Sequence, residues 1–474
     1  ISGPVTLAIT ATGGNYLEGG QLVNAIASAA GVTASNTSSQ LTTGALTGTV
    51  TATGGKVKGS SIHNNYGDST ATAYGAELAS GAALEAASVD LTVTATAGEN
   101  GSDSGYDTYH PYAYALAYGL ANGYKESYGS MNAGGTLKVT GAAVVKVAAA
   151  GGTSTSTDIT ADVTAYGLSN VNTYDYDSDV TSTLGSLDAT VSATGGTAAN
   201  AMKVNAYGLY NRGYSNPYIA SKISPKAVVD VTGTTTLNVS ATGGNTGDAA
   251  QTVTAYGIMN QADKNDATIT LDSLDATVTA TAGTIAATNE TTQEIFAYGL
   301  QNTGTNTQAE AASVTVNKQA VFHVTADGGK SEATIQGTDV EAYGIQSNLG
   351  KISLPSGADL TVTAKGTDNE EIDQTMATGI DFNYDGAAKD GSYTAAITGP
   401  VTLTVTATGG NLTTDKDNDG GTQVQATGIS ACIAGSSSTD TNSKLQLTLG
   451  DVSGTIKAST GTNTGDGDVG PIEV

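Results

Sequence analysis

A chain of 474 residues with 62 glycines, seven prolines, no tryptophan, three phenylalanines and 13% charged residues has too few bulky side chains for a wide globular core. It can fill a narrow one with Val, Leu, Ile and Ala. The formal charge of −26, with Arg212 the one arginine among 18 basic residues, excludes a nucleic-acid binder, which sets clustered Lys and Arg on phosphates.

The opening residues ISGPVTLAITATGGN (1–15) nearly repeat ITGPVTLTVTATGGN (397–411), so the sequence is expected to open inside a repeating unit, as an excised or mature segment would. Two signatures run through the chain. VTATGG or a variant occurs eleven times, centred on Ala11, Ala52, Ala95, Ala149, Ala193, Ala241, Ala280, Ala326, Ala364, Ala407 and Ala458. Ala-Tyr-Gly occurs seven times, at Tyr74, Tyr118, Tyr166, Tyr207, Tyr256, Tyr298 and Tyr343, with a leading variant around Ile26 and trailing ones at Thr378 and Thr427. The signatures alternate with elastic gaps at a period of roughly 44 residues, the pattern of a solenoid.

Each unit contains three strand-like runs. In ATITLDSLDATVTATAG (267–283) a first strand meets a second across a short turn, DSLD, and the third strand carries Ala-Tyr-Gly. Alternation is clean in LNVSATGG, which puts Leu237, Val239 and Ala241 on one face and Asn238, Ser240 and Thr242 on the other. The expected fold is all-β: a right-handed parallel β-helix of about ten to eleven three-stranded coils, one continuous segment over 1–474.

Four residues after the tyrosine, coils 3 to 7 place Asn122, Asn170, Asn211, Asn260 and Asn302. An inward asparagine at a turn can bond its equals above and below, which predicts a buried ladder. Val253 and Ala255 share a face with Ile258 only if the alternation slips at Gly257, which turns Tyr256 outward. Seven such tyrosines would stack along one ridge at ~4.8 Å per coil.

The loops after Ala-Tyr-Gly in coils 3 to 5 are rich in tyrosine: ANGYKESYGS, VNTYDYDSD and YNRGYSNPY. They bring Tyr124, Tyr128, Tyr174, Tyr176, Tyr210, Tyr214 and Tyr218 side by side with Arg212, a candidate binding patch, because tyrosine gives contact area and a hydroxyl at low entropic cost. An upstream loop adds Tyr106, Tyr109, Tyr112 and Tyr114 from another corner. DKDNDGG sets Asp415, Asp417 and Asp419 at the first, third and fifth positions of a calcium loop, although Ala426 stands where a bidentate Glu belongs. DYDSD offers Asp175, Asp177 and Asp179. Calcium is therefore the one cofactor the sequence suggests.

Outward threonines flank the VTATGG alanine in two ranks, Thr10 to Thr406 and Thr12 to Thr408, interrupted across the face by Lys146, His323, Asp327, Lys365 and Lys457. Such a face is similar to that of ice-binding solenoids. The histidines His63, His110 and His323 lie coils apart, so no acid–base pair within hydrogen-bond reach is expected, and the chain reads as non-enzymatic.

The Thr/Gly/Ala-rich repeats VTATGG and AYGL, the near absence of cysteine (Cys432 alone), the acidity and the β-helical period resemble the passenger region of a Gram-negative autotransporter or a kindred surface adhesin. Phage tail fibres share the look. The resemblance covers the whole chain and implies a cell-adhesion stalk at the bacterial surface, facing a receptor or glycan of a host or neighbouring cell. No apolar run reaches the ~18–20 residues of a membrane helix, so this segment is not expected to insert in a membrane. The alternative is a structural subunit that self-associates end to end into an extracellular filament, since a rod of about 50 Å would end in unpaired strand edges.

Overall fold

The computed structural model describes the chain outside residues 2, 16–24, 58–67, 101–112, 126–130, 155–160, 174–177, 199–200, 215–224, 248–249, 264, 286–291, 305–310, 336, 371–372, 388–391, 412–422, 436–443, 463–471 and 474. It is a parallel β-helix of eleven coils. A 15-stranded sheet carries the VTATGG strands, and a 12-stranded sheet carries the Ala-Tyr-Gly strands. Successive coils pair in parallel register, Ala11 over Ala52 and Ala52 over Ala95 on one sheet, Tyr74 over Tyr118 and Tyr118 over Tyr166 on the other. Among the described residues no helix is long and apolar enough to cross a membrane.

The lumen is filled by the alternate apolar residues, as period-two patterning requires. Val239, Val278, Ala255 and Ile258 are all essentially inaccessible, while Thr242 and Thr281 are only half-covered. One continuous core of Val, Leu, Ile and Ala runs through the coils, with Phe322 and Phe382 as rare large fillers.

The turn expected between the first and second strands differs. In coils 2 to 7 the two runs form one strand, for example Ala227–Thr242 or Ala267–Thr281, bent where the pairing register shifts between Val231 and Thr234. A four-residue join that keeps its hydrogen bonds needs only a bulge. In coils 8 to 11 the strand does break, for example into Ala312–Val316 and Ala320–Asp327, or Lys351–Ser353 and Ala358–Lys365. Pro355 and Pro400 occupy the joins of coils 9 and 10, where a proline has no N–H for the ladder; the joins at 317–319 and 450–451 break without one.

Two glycine columns let the coils approach. At the second glycine of VTATGG, a Cβ on Gly98, Gly152, Gly196 or Gly244 would strike the carbonyl oxygen of the glycine one coil earlier. At Ala-Tyr-Gly, a Cβ on Gly208 or Gly257 would meet the next glycine's carbonyl and a core valine. At these positions the backbone is not left-handed and what is needed is the absence of a side chain; Gly329 of coil 8 differs, with a left-handed φ of 70°. After the first column, two-residue strands at Glu99–Asn100, Thr153–Ser154, Thr197–Ala198 and Asn245–Thr246 form a small fourth face, which periodicity did not foretell.

Candidate binding surface on the tyrosine face

At Gly257 the pairing passes from Tyr256–Tyr298 to Ile258–Leu300 with the glycine unpaired, and Ala255 and Ile258 both face the lumen. The alternation therefore slips at the glycine, and Tyr256 points away from the core. All seven tyrosines do the same. Their rings stack nearly parallel from Tyr74 to Tyr343, with centroid separations of 5.2, 4.6, 4.6, 4.9, 5.0 and 5.2 Å and interplanar angles of 2–8°. Ring faces are thus occupied by ring faces, and the row is largely covered: Tyr118 has no accessible surface, and Tyr74, Tyr166, Tyr298 and Tyr343 are only 6–9% exposed. Burial, and after it the neighbouring phenols Tyr118 and Tyr210, hold the Tyr166 hydroxyl well above its ordinary pKa. The Tyr256 phenol is pushed up to about 12, again chiefly by burial.

The loop residues expected to form a patch fold back onto this row where they are described. Tyr124 meets Tyr74 and Tyr118 edge-on at 5.2 and 6.2 Å, held by a short antiparallel pairing of Gly123–Lys125 with Met131–Ala133. Tyr210 leans on Tyr166 and Tyr207 at 5.6 and 5.4 Å and is 6% exposed. Arg212 donates from Nε to Asp263 Oδ2 at 2.8 Å and from Nη1 to the Tyr210 hydroxyl at 3.3 Å, and lies 5.0 Å over the Tyr214 ring. These contacts close a satellite cluster over the tyrosine row rather than a set of free anchors. Tyr128, Tyr174, Tyr176 and Tyr218 lie outside the described residues, as do Asp415, Asp417 and Asp419 of the calcium-loop motif. Among the described residues no group of three or more His, Cys, Asp or Glu could hold a metal ion. Asp179 instead accepts from the Lys226 backbone N–H at 2.9 Å.

The asparagine ladder forms on the inner side of the same strands. Asn122, Asn170, Asn211 and Asn260 each donate from Nδ2 to the Oδ1 of the next, at 2.9, 2.8, 2.8 and 2.8 Å, and all five asparagines have no accessible surface. The first Oδ1 accepts from the Gly135 N–H at 2.7 Å, and the last Nδ2 reaches Lys351 O at 3.0 Å. This row is structural: every amide is spent on the wall.

The threonine ranks stand in register on the 15-stranded sheet, Thr10 over Thr51 over Thr94 and Thr12 over Thr53 over Thr96. They are broken in the next coil by Ala148 and Ala150, and further on by Asp327 and Lys365, which pair at 3.4 Å.

Sequence reasoning missed an acidic patch on the tyrosine face. Register sets Glu294 beside Asp339, and Phe296 beside Glu341. Glu341 accepts from the Tyr343 hydroxyl at 3.1 Å. Burial, then the nearby Glu294, raises the Asp339 pKa; burial also raises that of Glu341 against the lowering by its Tyr343 bond. Adjacent coils bring these groups together across some 45 residues of sequence, so only a fixed register could have revealed the patch.

No protein-family model matches the chain, and no curated protein and no solved structure is significantly similar to it.

Proposed function

We propose that this chain is a non-enzymatic stalk of a bacterial surface protein of the autotransporter-passenger or adhesin type, a rigid extracellular spacer that also presents a recognition face. What supports this reading above all is the lumen: among the described residues, one apolar core and one backbone ladder run through all eleven coils. A wall of that kind resists bending, because each coil is bonded to its neighbours along its whole width.

Rigidity is tested with spin labels at Thr6→Cys and Thr402→Cys in a Cys432→Ser background. The positions lie in one column, nine coil steps apart, so a narrow distance distribution near 43 Å is expected; a broad or much shorter one overturns the spacer. Location is tested with antibodies to the segment on intact producing cells. Labelling only after permeabilisation overturns the surface assignment.

A filament subunit is the second reading. Val5, Leu7 and Ile9 at one end are only half-covered, and Val452 and Ile456 at the other are 48% and 38% exposed. Axial neighbours, from the same polypeptide or a second copy, would cover them. Electron micrographs of the purified segment with rods of many lengths favour this reading; uniform short rods count against it.

A further inference from the structure

We propose that the tyrosine face holds a binding cleft for a neutral, linear oligosaccharide, laid along the helix axis across coils 3 to 5. The proposal names the ligand class for the recognition face of the stalk, and it rests on that reading for its biological setting, though not for its chemistry. The cleft has a volume of about 170 Å³. Register builds it as three rows of outward side chains. Tyr118, Tyr166 and Tyr207 form one wall, and Tyr114, Asp162 and Lys203 the other. Between them the floor is lower, at Leu116, Thr164 and Asn205.

The wall chemistry selects oxygen-rich ligands. Because the tyrosines stack face to face, what Tyr166 and Tyr207 leave to the cleft is ring edge rather than ring face, while Tyr118 closes its end as a fully buried wall. Ring edges are the positive rim of the aromatic quadrupole, so they favour hydroxyl and ether oxygens over cations or flat aromatics. Asp162 already accepts from Thr164 Oγ1 at 3.0 Å, and Asn205 reaches the same hydroxyl from its other side at 3.5 Å. A carboxylate, an amide and an ammonium in one cleft can answer the alternating donors and acceptors of vicinal hydroxyls. Equivalent positions recur every ~4.8 Å along the axis, close to the advance per sugar of an extended pyranose chain.

Other ligands fit less well. A polyanion meets a chain of net charge −26 with Asp162 beside the cleft's lysine. A peptide along the axis finds no free backbone edge to extend, because the strands beneath are bonded on both sides. The cleft also has a defined far end. Its floor row continues through Thr254, which is 5% exposed, to Phe296, whose ring stands 6.4 Å from that of Tyr298. An aromatic there fills the space a longer chain would need.

The test is titration of the purified chain with cello-, malto- and mannotetraose and with a sulfated heparin tetrasaccharide, followed by calorimetry and saturation-transfer NMR. At least one neutral tetrasaccharide is expected to bind in the micromolar to millimolar range, and the sulfated one is not. Asn205→Leu, and the near-isosteric Thr164→Val, are expected to weaken that binding at least tenfold, while Thr94→Val on the opposite sheet leaves it unchanged. Phe296→Ala should make the hexasaccharide bind more tightly than the tetrasaccharide, a gain the parent lacks. Failure of all neutral saccharides, a preference for the sulfated one, indifference to both floor variants, or no length gain in Phe296→Ala would each overturn the proposal. These outcomes are separate from the antibody test, so the stalk and the cleft can fail independently.

Discussion

Coils 3 to 7 and coil 9 fill the same inner corner in opposite ways. In the former, an asparagine from each coil joins a buried chain of amides; in the latter, Phe382 takes the equivalent position and packs with fully buried Tyr384 and Tyr393, whose rings lie 5.1 Å apart. Coil 8 is the transition. Ser347 stands between Asn302 and Phe382 in register, accepts weakly from Asn302 Nδ2 at 3.5 Å, and donates to Gly350 O at 3.2 Å. The last amide of a polar row inside a wall needs partners, since an unpaired one costs about 1–3 kcal/mol, and Asn302 Nδ2 finds them in Lys351 O and Ser347 Oγ. The row ends on a small hydroxyl that can face both ways. The outer tyrosine row needs no such cap: after Tyr343 it passes to Thr378 and then Thr427 in the next two coils.

The comparison presupposes the assignment of faces, and breaking that assignment should have the largest effect. Val278→Asp places a carboxylate in the lumen of coil 7, with no cation on the neighbouring inward positions Val239 and Val324. Burying it unpaired is expected to cost ~4 kcal/mol or more and to melt the local coils. Thr281→Asp, three residues on and facing out, should stay within about 0.5 kcal/mol. Equal losses in thermal melts would refute the two faces.

Those faces were legible because they depend on period two alone, and Val239, Val278 and Thr281 obey it. The asparagine ladder was legible too, since a fixed offset from each tyrosine translates directly into a column once coils are in register. The slip at Gly257 followed from needing Val253, Ala255 and Ile258 on one side. Other features depend on heights and directions across coils, which a single strand does not encode. Tyr124 lies over the tyrosine of the preceding coil, and Tyr210 folds back onto the rings of its own coil and the one before. The cleft exists because Thr164 and Asn205 are shorter than the residues on both sides. The bulge in place of a turn at DSLD was hidden because serine, aspartate and glycine mark bulges and turns alike.

A smaller effect sharpens the comparison of corners. Asn211→Leu keeps the approximate volume but removes the acceptor of Asn170 Nδ2 and the donors to Asn260 Oδ1 and Ala227 O. A loss of about 2–4 kcal/mol is expected, because neighbours on both sides are orphaned. Ser347→Ala, at the end of the row, should lose only about 1 kcal/mol, since Asn302 keeps its bond to Lys351 O. Denaturant unfolding of both variants checks the ranking. If the terminal change costs as much as the central one, the amides are not acting as a chain.

The smallest expected effect concerns the outer row where it meets the acidic patch. Asp339, Glu341 and Asp381 all have raised pKa values, in each case first because of burial. For Asp339 the charge of Glu294 adds to this, and for Glu341 the charges of Asp339 and Glu294 do. A carboxyl whose pKa is raised on folding takes up its proton in the folded chain before the unfolded one does. Its contribution is therefore fully present below the ordinary values of 3.8 for Asp and 4.5 for Glu, and is lost as pH rises through the raised value. The melting temperature should rise, not fall, as the solution is acidified from neutral toward the ordinary carboxylate range. Relief of the overall charge of −26 pushes the same way, so a variant must separate the two. Glu341→Gln retains an acceptor for the Tyr343 hydroxyl and removes the charge, and it should be more stable than the parent at neutral pH. Its gain on acidification should be smaller than the parent's, and the two melting curves should converge at the acid end. Parallel curves would mean that net charge alone drives the change, and a parent that loses stability on acidification would refute the patch as a strained feature of the tyrosine face.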